Sequence, residues 1–592
     1  MPLRVGIGAV LLAVLIAAFS LQQLPDPLRA DLTADAFDGP AAVRTLDELA
    51  TRYPDRRAGS PGDQALTARV REELRRALPA ASMAADRFRA DTPDGERELE
   101  NVSATLPGQP GPEIVVVAHR DALERGAKAE LSGTAGLIGL ARAAGNGRFR
   151  HTVRFVSTSG ASGGGLAGAT QLARTLGGRT AAVLVLGDLA GRPDQAPSVV
   201  PWSNGGPAAP VRLERTVVEA LREEGLHARA ETGLWTQVVR RGLPATVGEQ
   251  GEINQAGVPA VLLSAGGATP PRADAQVDQA RLTAYGRAAL RTLYALDDRG
   301  GSIGAQQSGI VLVGQELPVW ALRLLLLALL APLLVGAAIV GLTLGRDGHP
   351  LAAGAAWTAG CAVGPLVAGL LAIGLGRIGL VWPSVPAPYA GAAVRTGPGA
   401  GFVVALLAAI LVATVVVARP TLTRDATGLG RPTRVTVAAG VFATLMLVVL
   451  ALVVVDPIAA LLVLPALLAW PAAIAPLPIE PIHRLLLVFG GLVLPLAAGL
   501  TVTASLDVPW TQVPWWLVLM IAGGQITPVG LLLMSLLVGA LIATVATFGP
   551  RPRRNRRPAD RERRPPPDRG ARRRASREAR EDMADAYAEG TT

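Results

Sequence analysis

Seven uncharged, apolar runs crowd the second half of this chain, at roughly residues 318–344, 351–376, 399–418, 435–455, 458–478, 485–505 and 515–549. Each reaches the ~18 residues that a helix needs to cross the hydrocarbon core of a bilayer, where every backbone polar group must be satisfied within the segment. They read as seven spans of an all-α polytopic membrane domain, residues 316–549. The last run holds one span plus an interfacial or re-entrant piece around "GGQITPVG", because two spans would carry the following arginines across the membrane. Trp510, Trp515 and Trp516 suit the outer interface of that segment.

An eighth apolar run, residues 5–21, follows Arg4 and is either a signal peptide or a single signal anchor. No small-x-small cleavage site follows it, so residues 1–24 read as the anchor. Alternation from a cytoplasmic Arg4 puts Arg346, then Arg419, Arg424, Arg431 and Arg434, then Arg484 and the tail on one side, as the positive-inside rule requires. Both chain ends are then cytoplasmic and residues 25–315, which contain no run long enough to span, form an extracytoplasmic domain. Arginine in place of lysine, with abundant Ala, Gly and Pro, suggests a high-GC bacterial gene and hence the plasma membrane.

The net charge of +10 sits largely after Phe548, so it describes a tail and not a nucleic-acid-binding domain. That tail, residues 550–592, is too rich in Arg and Pro and too poor in apolar side chains to pack, and it reads as disordered near anionic lipid. Membrane lipids are the expected partners, and no nucleic acid is expected. The single cysteine, Cys361, lies inside an apolar run and excludes an intrachain disulfide or a cysteine metal cluster. The span centres carry no Asp, Glu, Lys, Arg or His, which points to an anchor or docking platform, with a lipid-type transporter or flippase accessory as the alternative.

Between Ala41 and Arg299 amphipathic helices alternate with short apolar runs: "DQALTARVREELRRAL", "EIVVVAH", "GTAGLIGLARAAG", "TVRFVST", "LAGATQLARTL", "AAVLVLGD" and "PAVLLS". That rhythm predicts an α/β domain with a mixed, largely parallel sheet between helices. Active sites of such sheets lie beyond the carboxyl ends of the strands, which directs attention to His119, residues 157–160 and Asp188.

The stretches "RRAGSPGDQALTARVREEL", "ENVSATLPGQPGPEIVVVAHRDA", "SGTAGLIGLARA", "TVRFVSTSGASGGGLAGATQLA" and "AGVPAVLLS", in that order over roughly residues 50–300, resemble the di-zinc aminopeptidases of metallopeptidase family 28. An anchor, a peptidase-like domain and many spans are also similar to the vacuolar and endoplasmic-reticulum membrane members. The resemblance implies a His-x-Asp motif, here His119-Arg120-Asp121, with His119 a zinc ligand and Asp121 its orienting partner. It implies a further ligand at Asp188. The bridging carboxylate position carries Ala129, the general-base position Ala161, the adjacent ligand position Ser162 and the final histidine position Gln250. No Asp or Glu occurs between Arg150 and Gly187.

Two of five ligand positions are retained and the base is not, so the expectation is a peptidase-like ectodomain without di-zinc hydrolysis, serving binding or scaffolding, with a peptide or protein partner at its cleft. No cofactor is expected, or zinc if the site works. The alternative is an active membrane metallopeptidase with an atypical site, one divalent ion held by His119 and Asp188 with help from Glu130, Glu249 or Glu252. On the plainer reading His119 and Asp121 finish a strand and turn, and Asp188 caps a turn before Gly191. His151 and His227 read as surface or packing residues, and "SGASGGGLAG" as a loop left where the acidic motif was.

Overall fold

The computed structural model describes residues 2–548 apart from 34–35, 192–194, 229–232, 299–302, 305, 307–308, 382–387 and 423–428, together with residues 576–577. Arg424 and, those two residues aside, the tail expected at 550–592 lie outside the described residues.

The chain opens with helix α1 (Pro2–Ser20), strand β1 (Gln22–Gln23) and helices α2 (Gly39–Arg52) and α3 (Pro61–Ala77). A hairpin of β2 (Ser82–Thr92) and β3 (Gly95–Leu106) leads to β4 (Glu113–His119), α4 (Ser132–Gly145), β5 (Val153–Thr158), α5 (Ala167–Thr175), β6 (Thr180–Leu186) and β7 (Ser198–Val200). Then come α6 (Val211–Glu223), α7 (Leu234–Gly242), α8 (Gln250–Gln255), β8 (Ala260–Ser264), α9 (Gln279–Asp298), β9 (Ile310–Leu312) and β10 (Gln315–Leu317). Local chemistry sets several boundaries. Ser60 caps α3 by accepting from Asp63 N at 3.2 Å with Pro61 in the first turn, and Asp38 caps α2 by accepting from Ala41 N at 2.8 Å.

Seven strands form one sheet in the order β2-β3-β5-β4-β6-β8-β7. The four central strands run parallel, and the hairpin and β7 join antiparallel at the two edges. The predicted α/β class with a mixed, largely parallel sheet is the one observed. The interior strands "IVVVA", "AAVLVL" and "AVLLS" are buried on both faces, as parallel strands between two helical layers must be. One face packs Leu46, Leu66, Leu137, Leu213 and Leu290 from α2, α3, α4, α6 and α9. The other face packs Leu172 of α5 and Ile253 of α8 on Val115 and Val117. Three layers result, with the carboxyl ends of β4, β5, β6 and β8 gathered at one edge.

From Val319 the chain is helical: α10 (Val319–Arg346), α11 (Leu351–Cys361), α12 (Val363–Arg377), α13 (Ala400–Thr421), α14 (Arg434–Val455), α15 (Pro457–Ile474), α16 (Pro481–Ser505), α17 (Val513–Ala522) and α18 (Pro528–Ala546). Among the described residues seven helices are long and apolar enough to cross a membrane, α11 and α12 counting together as Leu351–Arg377, while α17 has ten residues and is too short. A small sheet in the order β1-β10-β9 pairs Gln22 with Glu316 and so ties the exit of α1 to the entry of α10. The α/β domain touches one set of helix ends: Gly242 meets Ala459, Trp235 Nε1 donates to Thr501 Oγ1 at 3.2 Å, and Gln525 Nε2 donates to the Asn204 carbonyl at 3.2 Å.

Candidate functional site

His119 ends β4 directly opposite Thr158 at the end of β5. Its carbonyl accepts from Thr134 Oγ1 at 2.7 Å, and its ring is flanked by two buried carboxylates. Glu130 comes from the 3-10 turn (Ala129–Leu131) before α4, with Oε1 3.6 Å from His119 Nε2. Glu249 comes from the turn before α8, with Oε2 3.7 Å from His119 Nδ1. Both separations exceed hydrogen-bonding distance, and the buried His119 Nε2 and Glu249 Oε2 make no hydrogen bond. A hydroxyl holds each carboxylate: Ser162 Oγ donates at 2.5 Å to Glu130 Oε1, the same oxygen that faces the ring, and Thr158 Oγ1 donates at 2.5 Å to Glu249 Oε1, the oxygen turned away from it.

Burial alone would push the His119 imidazole down, but Glu130 and Glu249 outweigh it and hold the ring well above the ordinary histidine value. Burial raises Asp121 to about 6, against the pull of His119 and with a further push from Asp63. Asp121 does not hydrogen-bond the imidazole. Its carboxylate accepts instead from the backbone N–H of Ala161 (3.2 Å) and Ser162 (3.0 Å), so it shapes the loop after β5. Beneath it lies a buried charge network. Arg120 Nε is 2.9 Å from Asp63 Oδ1, while its other nitrogens donate to the carbonyls of Ser157 (3.1 Å) and Glu100 (2.6 Å). Arg56 Nε donates in turn to the Arg120 carbonyl at 3.0 Å.

The retained Asp188 follows β6 and caps a turn, accepting through Oδ1 from Ala190 N (3.0 Å), Gly191 N (2.6 Å) and Ser132 Oγ (3.2 Å). His119, Glu130, Ser162, Asp188 and Glu249 share the lining of one cavity of about 30 Å³, room for one or two waters. At two substituted positions the neighbouring glutamate points inward instead. Ala129 is buried beside Glu130, and Gln250 turns away to donate to Thr246 Oγ1 and the Trp202 carbonyl while Glu249 faces the ring. A Glu adjacent to the substituted residue was the signal in the sequence at these two positions; Ala161 and Ser162 have none. Glu252 lies elsewhere, accepting from Asn204 and Thr170. His151 packs against Asp297 at 3.1 Å.

Two zinc ions need a bridging carboxylate and a free base, and this donor set does not fit them. The two glutamates address opposite nitrogens of the same imidazole, and Ala161 has no proton-accepting atom. Among the described residues no three His, Cys, Asp or Glu side chains are arranged to hold a metal ion.

The loop after β5 has another use. Gly164 pairs with Tyr389 in an antiparallel bridge, and Ala390 N donates to the Gly163 carbonyl at 2.9 Å. Gly164 has φ +129°, and a Cβ there would lie 2.5 Å from the Pro388 oxygen, so the glycine permits both the backbone conformation and the approach. The docked segment, residues 388–395, belongs to the connection between α12 and α13. Trp516 Nε1 donates to the Tyr389 carbonyl at 3.1 Å, Trp515 Nε1 to the Arg395 carbonyl at 2.9 Å, and Arg395 pairs with Asp94 at 2.6 Å. Trp515 and Trp516 are therefore buried props of this segment and not interface anchors; Trp510 alone of the three is exposed.

No family model matches the chain, and no curated protein does. Among solved structures it is similar to a glutaminyl cyclase from an Acidobacteriales bacterium, at 18% identity and TM-score 0.36, covering 47% of this chain and 100% of that one. It is similar to BSAP, a zinc aminopeptidase from Bacillus subtilis, at 10% identity and TM-score 0.36, covering 47% and 99%. The LapA aminopeptidase of Legionella pneumophila matches at 12% identity and TM-score 0.37, covering 47% and 78%. The neighbours of this fold are thus zinc aminopeptidases and glutaminyl cyclases, at low identity and over less than half of the chain.

Proposed function

We propose that this chain is a plasma-membrane protein whose peptidase-like ectodomain does not hydrolyse by the two-metal route and works as a binding or scaffolding module. The observation that carries this reading is the loop at residues 160–165. Where such a hydrolase would hold its base and a ligand, this loop offers Ala161 and Ser162, and its glycines seat a segment of the membrane domain. The remaining carboxylates support it. Each is held by at least one hydrogen bond from the protein itself, as in a structural polar cluster, with Glu249 Oε2 and His119 Nε2 the atoms left without one. A peptide or protein partner would engage the rim of the cleft, since the cavity has room only for water.

The test is the zinc content of the full-length protein in detergent after dialysis against trace zinc, with His119→Ala as the control. Zinc well below one per chain, unchanged by the substitution, is the expected result. One ion per chain lost in His119→Ala would favour a single-ion site on His119, Glu130 and Glu249 and sink the non-metallic reading. Two ions would restore the di-zinc hydrolase.

A further inference from the structure

Helix α7 belongs to the soluble domain, yet its apolar side faces the membrane helices. Val238 and Val239 are buried in the same core as Leu462, Val463 and Trp516, and Gly242 lets the helix backbone rest on Ala459 at the start of α15. Trp235 donates its indole N–H to Thr501 near the end of α16. At the rim of this contact Leu234, Trp235 and Leu243 are 53%, 37% and 39% exposed. The membrane helices beside them are bare too: Leu500, next to Thr501, and Val455, just before α15, are 65% and 64% exposed.

We infer that α7 lies in the outer interface of the bilayer, with Leu234, Trp235 and Leu243 dipping into lipid beside α15 and α16. Exposed apolar side chains stand on both sides of the contact, and the one hydroxyl between them, Thr501 Oγ1, is bonded internally, accepting from Trp235 and donating to the Ala497 carbonyl at 2.8 Å; that continuity selects lipid as the occupant. A tryptophan with a satisfied N–H and an apolar ring suits the headgroup level. The polar residues of the helix turn inward: Gln237 Nε2 donates to the Val311 carbonyl at 2.9 Å, and the Arg241 guanidinium donates to the Gly309 carbonyl. A short helix whose polar side chains are bonded to the protein and whose exposed side chains are apolar is the geometry of an interfacial segment. The inference rests on α14, α15 and α16 spanning a bilayer.

The experiment is spin-label accessibility in the full-length protein reconstituted in phosphatidylcholine and phosphatidylglycerol nanodiscs, on a Cys361→Ser background. Labels are placed by Leu234→Cys and Leu243→Cys, with Leu447→Cys in mid-α14 as the lipid reference and the exposed Arg75→Cys in α3 as the water reference. Oxygen accessibility exceeding that of a nickel chelate at 234 and 243, as at 447, is expected. Nickel accessibility like that at 75 overturns the inference, and so does shielding from both reagents with spin-spin broadening, which would mean that a second copy covers the helix. Failure of the 447 label to report lipid overturns the spanning reading itself.

Discussion

At the residue scale the cluster around His119 is built on Arg120. That guanidinium is fully buried, matched by Asp63 and two carbonyls, and Asp63 also accepts from Ser159 Oγ at 2.6 Å and from Gly59 N at 2.9 Å. Removing one partner of such a pair leaves an uncompensated charge, typically ~3–5 kcal/mol, whereas replacing both by neutral groups of similar volume costs far less. Arg120→Met is therefore expected to lower the melting temperature of the protein strongly, and the double variant Asp63→Asn/Arg120→Met to recover most of the loss. A double variant as unstable as the single one would show that packing, and not charge pairing, fixes this layer. Part of this layer was legible in sequence: His119 and Asp188 stand at the carboxyl ends of β4 and β6, as the apolar runs before them implied, whereas Asp121, which the resemblance made the partner of His119, holds the loop after β5 instead. The inward roles of Glu130 and Glu249 were harder to read. A substitution erases the expected ligand while the compensating carboxylate sits one residue away, and only the chain's local turn decides which of two neighbours faces the cavity.

At the scale of elements, period and composition sufficed for the layers. "EIVVVAH" and "TVRFVST" are too short and β-branched to be helices, and the amphipathic stretches between them cannot be strands, so an α/β sheet follows. The seating of residues 388–395 on the loop after β5 left no such trace, because it is a backbone contact between distant parts of the chain and depends on a glycine having no side chain. Gly164→Val tests it. The substitution forces a β-branched residue to φ +129° and pushes a side chain against Pro388 and Tyr389. Backbone strain of this kind costs ~1–3 kcal/mol before the lost contact is counted. Hydrogen exchange at Ala390, whose N–H donates to Gly163, should accelerate, while exchange in the central strands stays slow. Unaltered protection at Ala390 would show that the segment is held by Trp515, Trp516 and Arg395 alone.

At the scale of the whole molecule the question is which side of the membrane each set of helix ends faces. The ends that meet the α/β domain are the start of α15, the end of α16, the turn before α18 and the connection between α12 and α13. The opposite ends carry Arg346, Arg431, Arg434 and Arg484. If the seven long apolar helices among the described residues cross a bilayer, the two sets of ends fall on its opposite sides, so a single orientation decides everything. Positive residues are retained on the cytoplasmic side, and moving this many arginines across would cost several kcal/mol each. On a Cys361→Ser background, Glu98→Cys in the soluble domain should react with a membrane-impermeant maleimide in intact cells. Asp347→Cys, in the turn between α10 and α11, should react only after permeabilisation. Labelling of both in intact cells would break the two-sided arrangement. Labelling of Asp347→Cys alone would invert it, place the peptidase-like domain in the cytoplasm, and require its partners to be sought among cytoplasmic proteins.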